Sequence, residues 1–180
     1  MHTSIELLTP RLTLRQWRDD DIALFAHINQ DPAVMRWIGA PLTMAQTEAW
    51  VARMRTTWQE HGFGLFAVEL RHRSGCIGYI GLSVPRFEAH FTPCVEIGWR
   101  LASAQWGQGL ASEGATAVLA WARDELRLPE VVSFTTQGNR ASQRVMQKIG
   151  MHYDPADDFA HPSLEASHPL SPHVLYRSKW

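Results

Sequence analysis

The segment QWGQGLASEG, residues 105–114, sets two glycines one residue apart between an apolar, strand-like run and an alanine-rich, helix-like one. Glycine serves where the backbone needs dihedrals closed to other residues, so one reading is a tight strand-to-helix turn. The other reading uses the same freedom differently. With no Cβ in the way, successive N–H groups converge on an anion at a helix N-terminus, where the dipole favours negative charge. No Lys-Ser/Thr follows the glycines as a Walker loop requires, and Gly107, Gly109 and Glu113 break the GxGxxG spacing, so both nucleotide fingerprints are set aside.

The rest of the chain supplies the frame around that turn. RLTLRQW (11–17) alternates Leu12, Leu14 and Gln16 against Arg11, Thr13 and Arg15, which is strand period. Asp19, Asp20 and Asp21 suit the positive end of a first helix over IALFAHIN, which Asp31-Pro32 ends. Thr43 with Gln46 fits a capping box, and Trp50, Met54 and Trp58 recur every four residues along a second helix stopped by Gly62 and Gly64. Strands follow at 65–70, 76–84 and 94–101, the first two joined by a turn around Ser74-Gly75, which reads as an antiparallel meander. Ala111, Ala115, Val118, Leu119, Ala122 and Leu126 mark one face of a third helix ending before Pro129. VVSFTT (131–136) is a strand, Asn139 opens a helix running through Ile149 to Gly150, and VLYRSKW closes the chain as a strand. The Pro-, His- and Asp-rich stretch 154–173 has no period and reads as a long loop. The order β-α-α-β-β-β-α-β-α-loop-β implies an α+β fold on a mixed sheet, in one domain over residues 1–180.

Composition narrows the partners. Seventeen Lys plus Arg against eighteen Asp plus Glu give a formal charge of −1, without the cationic excess needed to track DNA or RNA, so no nucleic-acid partner is expected. No apolar run approaches the roughly 18 residues of a membrane span, and MHTSIELLTP lacks the basic start and apolar stretch of a signal peptide, so a soluble, cytoplasmic protein is expected. Cys76 and Cys94 lack CxxC spacing and read as free thiols. Among nine histidines, His161, His168 and His173 crowd the late loop, but there is no HExxH or regular ligand spacing and no metal is expected. Eight tryptophans read mostly as core, with a homodimer interface or an apolar substrate as the other uses of such an excess.

VEIGWRL, QWGQGLASEGA and VVSFTTQGNRASQRVMQKIGM together resemble the GNAT superfamily of acyl-CoA-dependent N-acyltransferases, particularly the branch containing ribosomal-protein N-terminal acetyltransferases. The likeness runs from about Thr9 to Tyr176. The family's phosphate signature, R/Q-x-x-G-x-G/A, falls on Trp106-Gly107-Gln108-Gly109-Leu110-Ala111, with Trp106 in place of the first polar residue. The resemblance implies a GNAT-type domain: a mostly antiparallel mixed sheet, flanked by helices, in which the strands carrying Glu96–Leu101 and Val131–Thr136 run parallel and splay apart. It implies acetyl-CoA as co-substrate, with its pantetheine arm in that gap. Main-chain groups near Trp99, Arg100 and Leu101 would pair with the arm, N–H groups from Gly107 to Ser112 would take the pyrophosphate, and Asn139 would bond the pantetheine or a local carbonyl.

The chemistry so implied needs a neutral amine, an N–H donor for the developing oxyanion, and a proton for the departing thiolate. A backbone N–H of strand 96–101, turned inward by a β-bulge, suits the oxyanion. Glu96 is the candidate base, its other reading being a structural carboxylate. Many relatives protonate the thiol with a Tyr, whose position here is Met146. The pattern Asn139-Arg140-Ala141-Ser142 resembles the branch in which a Ser does this, so Ser142 is a candidate proton donor or a helix cap, with Tyr79, Tyr153 and Tyr176 as substitutes. Trp37, Phe159 and His161 fall where relatives hold the acceptor. An α-amine with a pKa of about 7.7–8.0 is far more easily neutralised than a lysine near about 10.4, so a site without a strong base favours a protein or peptide N-terminus, or a weakly basic small amine. The missing Tyr also leaves room for a non-catalytic acyl-CoA-binding module.

Overall fold

Leu12 and Leu14 alternate with polar neighbours and are fully buried, and they anchor one side of a nine-stranded sheet in the computed structural model, which describes residues 5–180. Residues 1–4, the start of the segment read above for a leader, lie outside the described residues. The strands are β1 (Leu7–Leu8), β2 (Leu12–Arg15), β3 (Leu65–Leu70), β4 (Arg73–Ser83), β5 (Glu96–Leu101), β6 (Val132–Thr136), β7 (His152–Tyr153), β8 (Phe159–Ala160) and β9 (Pro172–Arg177). Their spatial order is β1-β2-β3-β4-β5-β6-β9-β7, with β8 also on β9. The β3-β4-β5 meander is antiparallel as expected, and β5–β6 is the parallel pair.

The helices are α1 (Asp20–Gln30), α2 (Pro32–Met35), α3 (Met44–His61), α4 (Leu110–Asp124) and α5 (Arg140–Lys148). One sheet face packs on α4: Phe66, Val68, Ile80, Leu82 and Ile97 meet Leu110, Ala115, Val118 and Ala122 in the larger core. Alanines bring this helix close, and a Cβ on Gly114 would stand 2.4 Å from the Ile80 Cδ1. The other face carries α1 and α3, where Phe25, Ile28 and Val51 join Trp17, Ala67 and Cys76. Thr43 and Gln46 form the expected capping box.

Five local readings change. The turn between β3 and β4 falls at Arg71 and His72, with Ser74 and Gly75 already inside β4. β5 pairs with β4 in unbroken register from Glu96 to Leu101, without the expected bulge. Asp31-Pro32 ends α1 but also starts α2, with Asp31 accepting from the Ala33 N–H and Pro32 in the first turn, where its missing N–H costs nothing. Arg15, on the nominally outer face of its strand, is 4% exposed and gives a bidentate pair to Asp21 at 2.7 and 2.8 Å and a further bond to Glu69. That face is roofed by α1, so the charge is buried with its counterions. The stretch 154–173 contains the short β8, whose Phe159 and Ala160 pair with His173 and Pro172.

Among the described residues no helix is long and apolar enough to cross a membrane.

Candidate active site

β5 and β6 share only one register pair, Glu96 opposite Val132. The Val132 N–H reaches the Val95 carbonyl at 2.9 Å and the Ser133 hydroxyl the Ile97 carbonyl at 2.9 Å, and the strands then part. Side-chain alternation sends Ile97, Trp99 and Leu101 toward α4 and puts Glu96, Gly98 and Arg100 on the face of α1. Across β4, Ser83, Gly81 and Tyr79 stand opposite those three. A Cβ on Gly98 would meet only the Glu96 Oε1, 3.8 Å away, so the floor between Glu96 and Arg100 is open.

A cavity of about 660 Å³ fills the parting. Glu96 is half-buried in its wall and accepts the Ser83 hydroxyl at 3.1 Å; burial pushes its carboxyl up to about 7, against the opposing pull of that hydrogen bond. This value lies near the working pH of a general base.

At one end the cavity meets the start of α4. Gly107 and Gly109 have φ of +74° and +76°, the left-handed region that glycine enters freely. Gly109 is the N-cap and offers no side chain to the first-turn N–H groups, whereas α3 and α5 are capped by Thr43 and Asn139. A Cβ on Gly107 would meet nothing within 4 Å, and one on Gly109 only the Arg11 Nη2 at 3.7 Å. Arg11 is held there by Glu113, Nε to Oε2 at 2.6 Å, and by the Gln108 carbonyl at 2.9 Å.

At the start of α5, the Asn139 Oδ1 accepts the Ser142 N–H at 3.3 Å, while its Nδ2 donates to the Ser142 Oγ at 3.1 Å and the Thr135 Oγ1 at 3.0 Å. Asn139 is therefore the cap. Ser142 receives the cap through its main chain, which corrects the reading of its hydroxyl as the capping group. Met146 also lines the cavity and is 1% exposed.

The cavity also has aromatic walls. Trp37 lies against the β6–α5 turn, so that a Cβ on Gly138 would sit 2.6 Å from its Cζ3. Phe134 and His173 line the cavity, and Phe87, Phe91, Phe159 and His161 pack behind them. His173 bonds the Ser171 carbonyl through Nδ1 at 3.0 Å, and burial lowers its basicity.

Residues 11–152 match the family described as Acetyltransferase (GNAT) domain. The chain belongs to this family. It is 32% identical over 154 residues to YkkB, an uncharacterized protein of Bacillus subtilis, covering 85% of this chain and 88% of that one. It is also similar to a solved acetyltransferase from Agrobacterium tumefaciens, with a TM-score of 0.78 at 29% identity over 100% and 98% of the two chains. The ribosomal L7/L12 alpha-N-protein acetyltransferase RimL, solved in complex with coenzyme A, shares the fold with a TM-score of 0.78 at 13% identity over 97% of each chain.

Within this GNAT frame, Glu96, Trp99, Arg100, Leu101, Trp106, Gly107, Gly109, Leu110, Ala111, Ser112, Asn139 and Ser142 all line the one cavity. Gln108 does not; its amide bonds the Ala104 carbonyl at 3.2 Å. The Trp106 indole N–H caps the Leu101 carbonyl at 2.9 Å, which ties the glycine turn to the end of β5. Of the substitute tyrosines, Tyr79 lines the cavity, while Tyr153 and Tyr176 stack on each other outside it. Trp37 also lines it, and Phe159 and His161 stand one layer back. The sequence reading missed Ser83 and Arg11, because a cross-strand partner and a guanidinium folded over a loop 97 residues away leave no local pattern. The bare, unobstructed N–H groups at the α4 start fit the diphosphate of coenzyme A.

Proposed function

We propose that the protein is an acetyl-CoA-dependent N-acetyltransferase whose acceptor is a primary amine, read first as an α-amine such as a protein or peptide N-terminus and second as a small-molecule amine. The observation that carries this is the start of α4: a helix N-terminus with no cap, preceded by left-handed glycines, opening into the parting of β5 and β6. An anion there meets converging N–H groups and the positive end of the helix dipole. Main-chain groups of Trp99, Arg100 and Leu101 extend along the cleft where an amide-bearing arm adds to β5 like a strand.

The co-substrate supplies an activated thioester carbonyl. Glu96, ionised in part at neutral pH, takes one proton of the incoming ammonium directly or through water, leaving the nitrogen lone pair free to form the C–N bond, and the second nitrogen proton leaves to solvent from the tetrahedral intermediate. As the C–S bond breaks, the Ser142 hydroxyl hydrogen-bonds the departing sulfur and passes it a proton, replaced from solvent. Asn139 supports this assignment: it donates to the Ser142 Oγ, so the hydroxyl hydrogen is left for another acceptor. Met146, where many relatives carry a Tyr, has no proton to give.

Isothermal titration of coenzyme A, followed by free-thiol release from acetyl-CoA with amines and N-terminal peptides, tests the reading. Saturable binding and amine-dependent thiol release are expected. Folded protein that takes up no coenzyme A overturns it, and binding without release under any amine leaves a non-catalytic acyl-CoA module instead.

A further inference from the structure

Arg100 is 8% exposed, yet no carboxylate lies within ion-pair distance of it among the described residues. Among the described residues its side chain makes one hydrogen bond, from Nη1 to the Asn29 Oδ1 at 2.6 Å. The guanidinium otherwise faces the rings of Tyr79 at 5.4 Å and Phe25 at 5.8 Å. Nε is enclosed without a partner, and Nη2 donates to no protein atom. The other deeply buried arginine, Arg15, carries Asp21 and Glu69. A buried charge without a counterion is costly, and the remedy folded proteins use elsewhere is a carboxylate in bidentate contact.

Arg100 is not held this way by accident of a loose side chain. Asn29 is fully buried and is itself fixed through Nδ2 to the Thr47 Oγ1 at 3.1 Å, so α1 and α3 together hold the guanidinium in the cavity wall. The side chain lies on the face of β5 away from α4, which separates it from the diphosphate end of the site. Four residues back along the strand, on the same face, stands Glu96, with the open floor of Gly98 between, a Cα separation of about 13 Å at the rise of a strand. Glu96 and Arg100 thus form an acidic and a basic post at the two ends of that span, with the Glu96 carboxyl leaning from its end toward Gly98. Arg36, exposed at the same cavity, adds a second cation to the entrance.

We propose that Arg100 binds a carboxylate of the acceptor, so that the amine acetylated here is one that also carries an acid group. The proposal rests on the acetyl-transfer reading for the identity of the ligand as an acceptor, and it narrows that reading to amines of the amino-acid type. A peptide N-terminus meets the requirement only where an acidic side chain supplies the carboxylate.

The test uses the full-length protein saturated with coenzyme A, which permits binding without turnover. Calorimetric titration compares leucine with leucinamide and 3-methylbutylamine, and β-alanine and 4-aminobutyrate with the alkylamines of the same length. At least one carboxylated member is expected to bind tenfold or more tighter than its uncharged counterparts. That ratio should fall toward one in Arg100→Gln and be partly kept in Arg100→Lys. Equal affinity across every pair in the wild-type protein, or no binding by any member, overturns the proposal whatever the variants do; so does a preference that survives Arg100→Gln. Free-thiol release from acetyl-CoA with the same panel is read separately: a carboxylate preference in binding without any release sinks the transfer reading and leaves the Arg100 site standing.

Discussion

The Asn139 side chain donates to the Ser142 Oγ at 3.1 Å and accepts the Ser142 N–H at 3.3 Å, so one amide both caps α5 and aims the hydroxyl. The two roles separate by mutation. Ser142→Ala keeps the main-chain N–H that Asn139 caps, and should leave thermal stability and coenzyme A affinity nearly unchanged while lowering kcat by about a hundredfold, the low end for a lost proton donor. Asn139→Ala removes the cap and should cost about 1 kcal/mol of stability as well as rate. Thermal melts beside steady-state rates check the pair; equal kcat in wild type and Ser142→Ala would remove the hydroxyl from the chemistry.

Glu96 gives the pH dependence. Its carboxyl is pushed up to about 7 by burial, so the active, ionised form grows as pH rises through that value. The acceptor amine also loses its proton with rising pH, and the clean readout is the ratio of wild-type to Glu96→Gln kcat/KM. That ratio should climb through pH 7 and then level off. The stability sign runs the other way: a folded-state pKa above the unfolded one favours the protonated native state, a contribution present at low pH and lost as pH rises through about 7. Glu96→Gln should therefore melt higher than wild type at about pH 8.5 and close to it at about pH 4.5. A flat ratio across the range would return Glu96 to a structural role.

What was legible in the sequence was local. The Thr43–Gln46 box, the glycine turn and the β3–β4–β5 alternation depend on residues a few positions apart; the first two stand where their spacing implied, and the antiparallel meander does too, with its first turn moved from Ser74-Gly75 to Arg71-His72. The parting of β5 and β6 came only through family resemblance, since no spacing within either strand encodes where a partner leaves it. Arg15 read as an outer residue because its counterion Glu69 sits on another strand. The wall built by Phe87, Phe91, Phe134 and Phe159 joins three separate segments, two of them without any period, and only the sheet brings it together. Asn139 and Ser142 are both good caps three residues apart, and the choice between them is made by β6, whose Thr135 anchors the Asn amide.

Gly109 tests the anion cradle. At its φ of +76°, a β-branched side chain is strained, and valine there would also crowd the open space above the first-turn N–H groups and the Arg11 Nη2. Gly109→Val should weaken coenzyme A at least tenfold, about 1.4 kcal/mol, measured by calorimetry on material whose circular dichroism matches wild type. Undiminished affinity in such material would mean that the bend serves the chain alone.

Arg11 offers a test with an internal control. Its guanidinium, 47% exposed, neutralises Glu113 in the first turn of α4 and bonds the Gln108 carbonyl beside Gly109. Despite the penalty of partial burial, hydrogen bonds from Thr9 and Arg11 hold the Glu113 carboxyl below its ordinary value, so it is ionised at neutral pH. Arg11→Ala should cost at most about 1 kcal/mol of stability, because the pair is solvent-screened. It should nevertheless weaken coenzyme A by about fivefold, since an unpaired carboxylate then faces the diphosphate at close range. Added salt should shrink that loss. Arg11→Ala/Glu113→Gln, which removes both charges, should recover most of the affinity, because the cradle itself is main chain. If the double variant binds as poorly as Arg11→Ala, the guanidinium acts by holding the Gln108 carbonyl in place, and charge at the helix start is not what the pair controls.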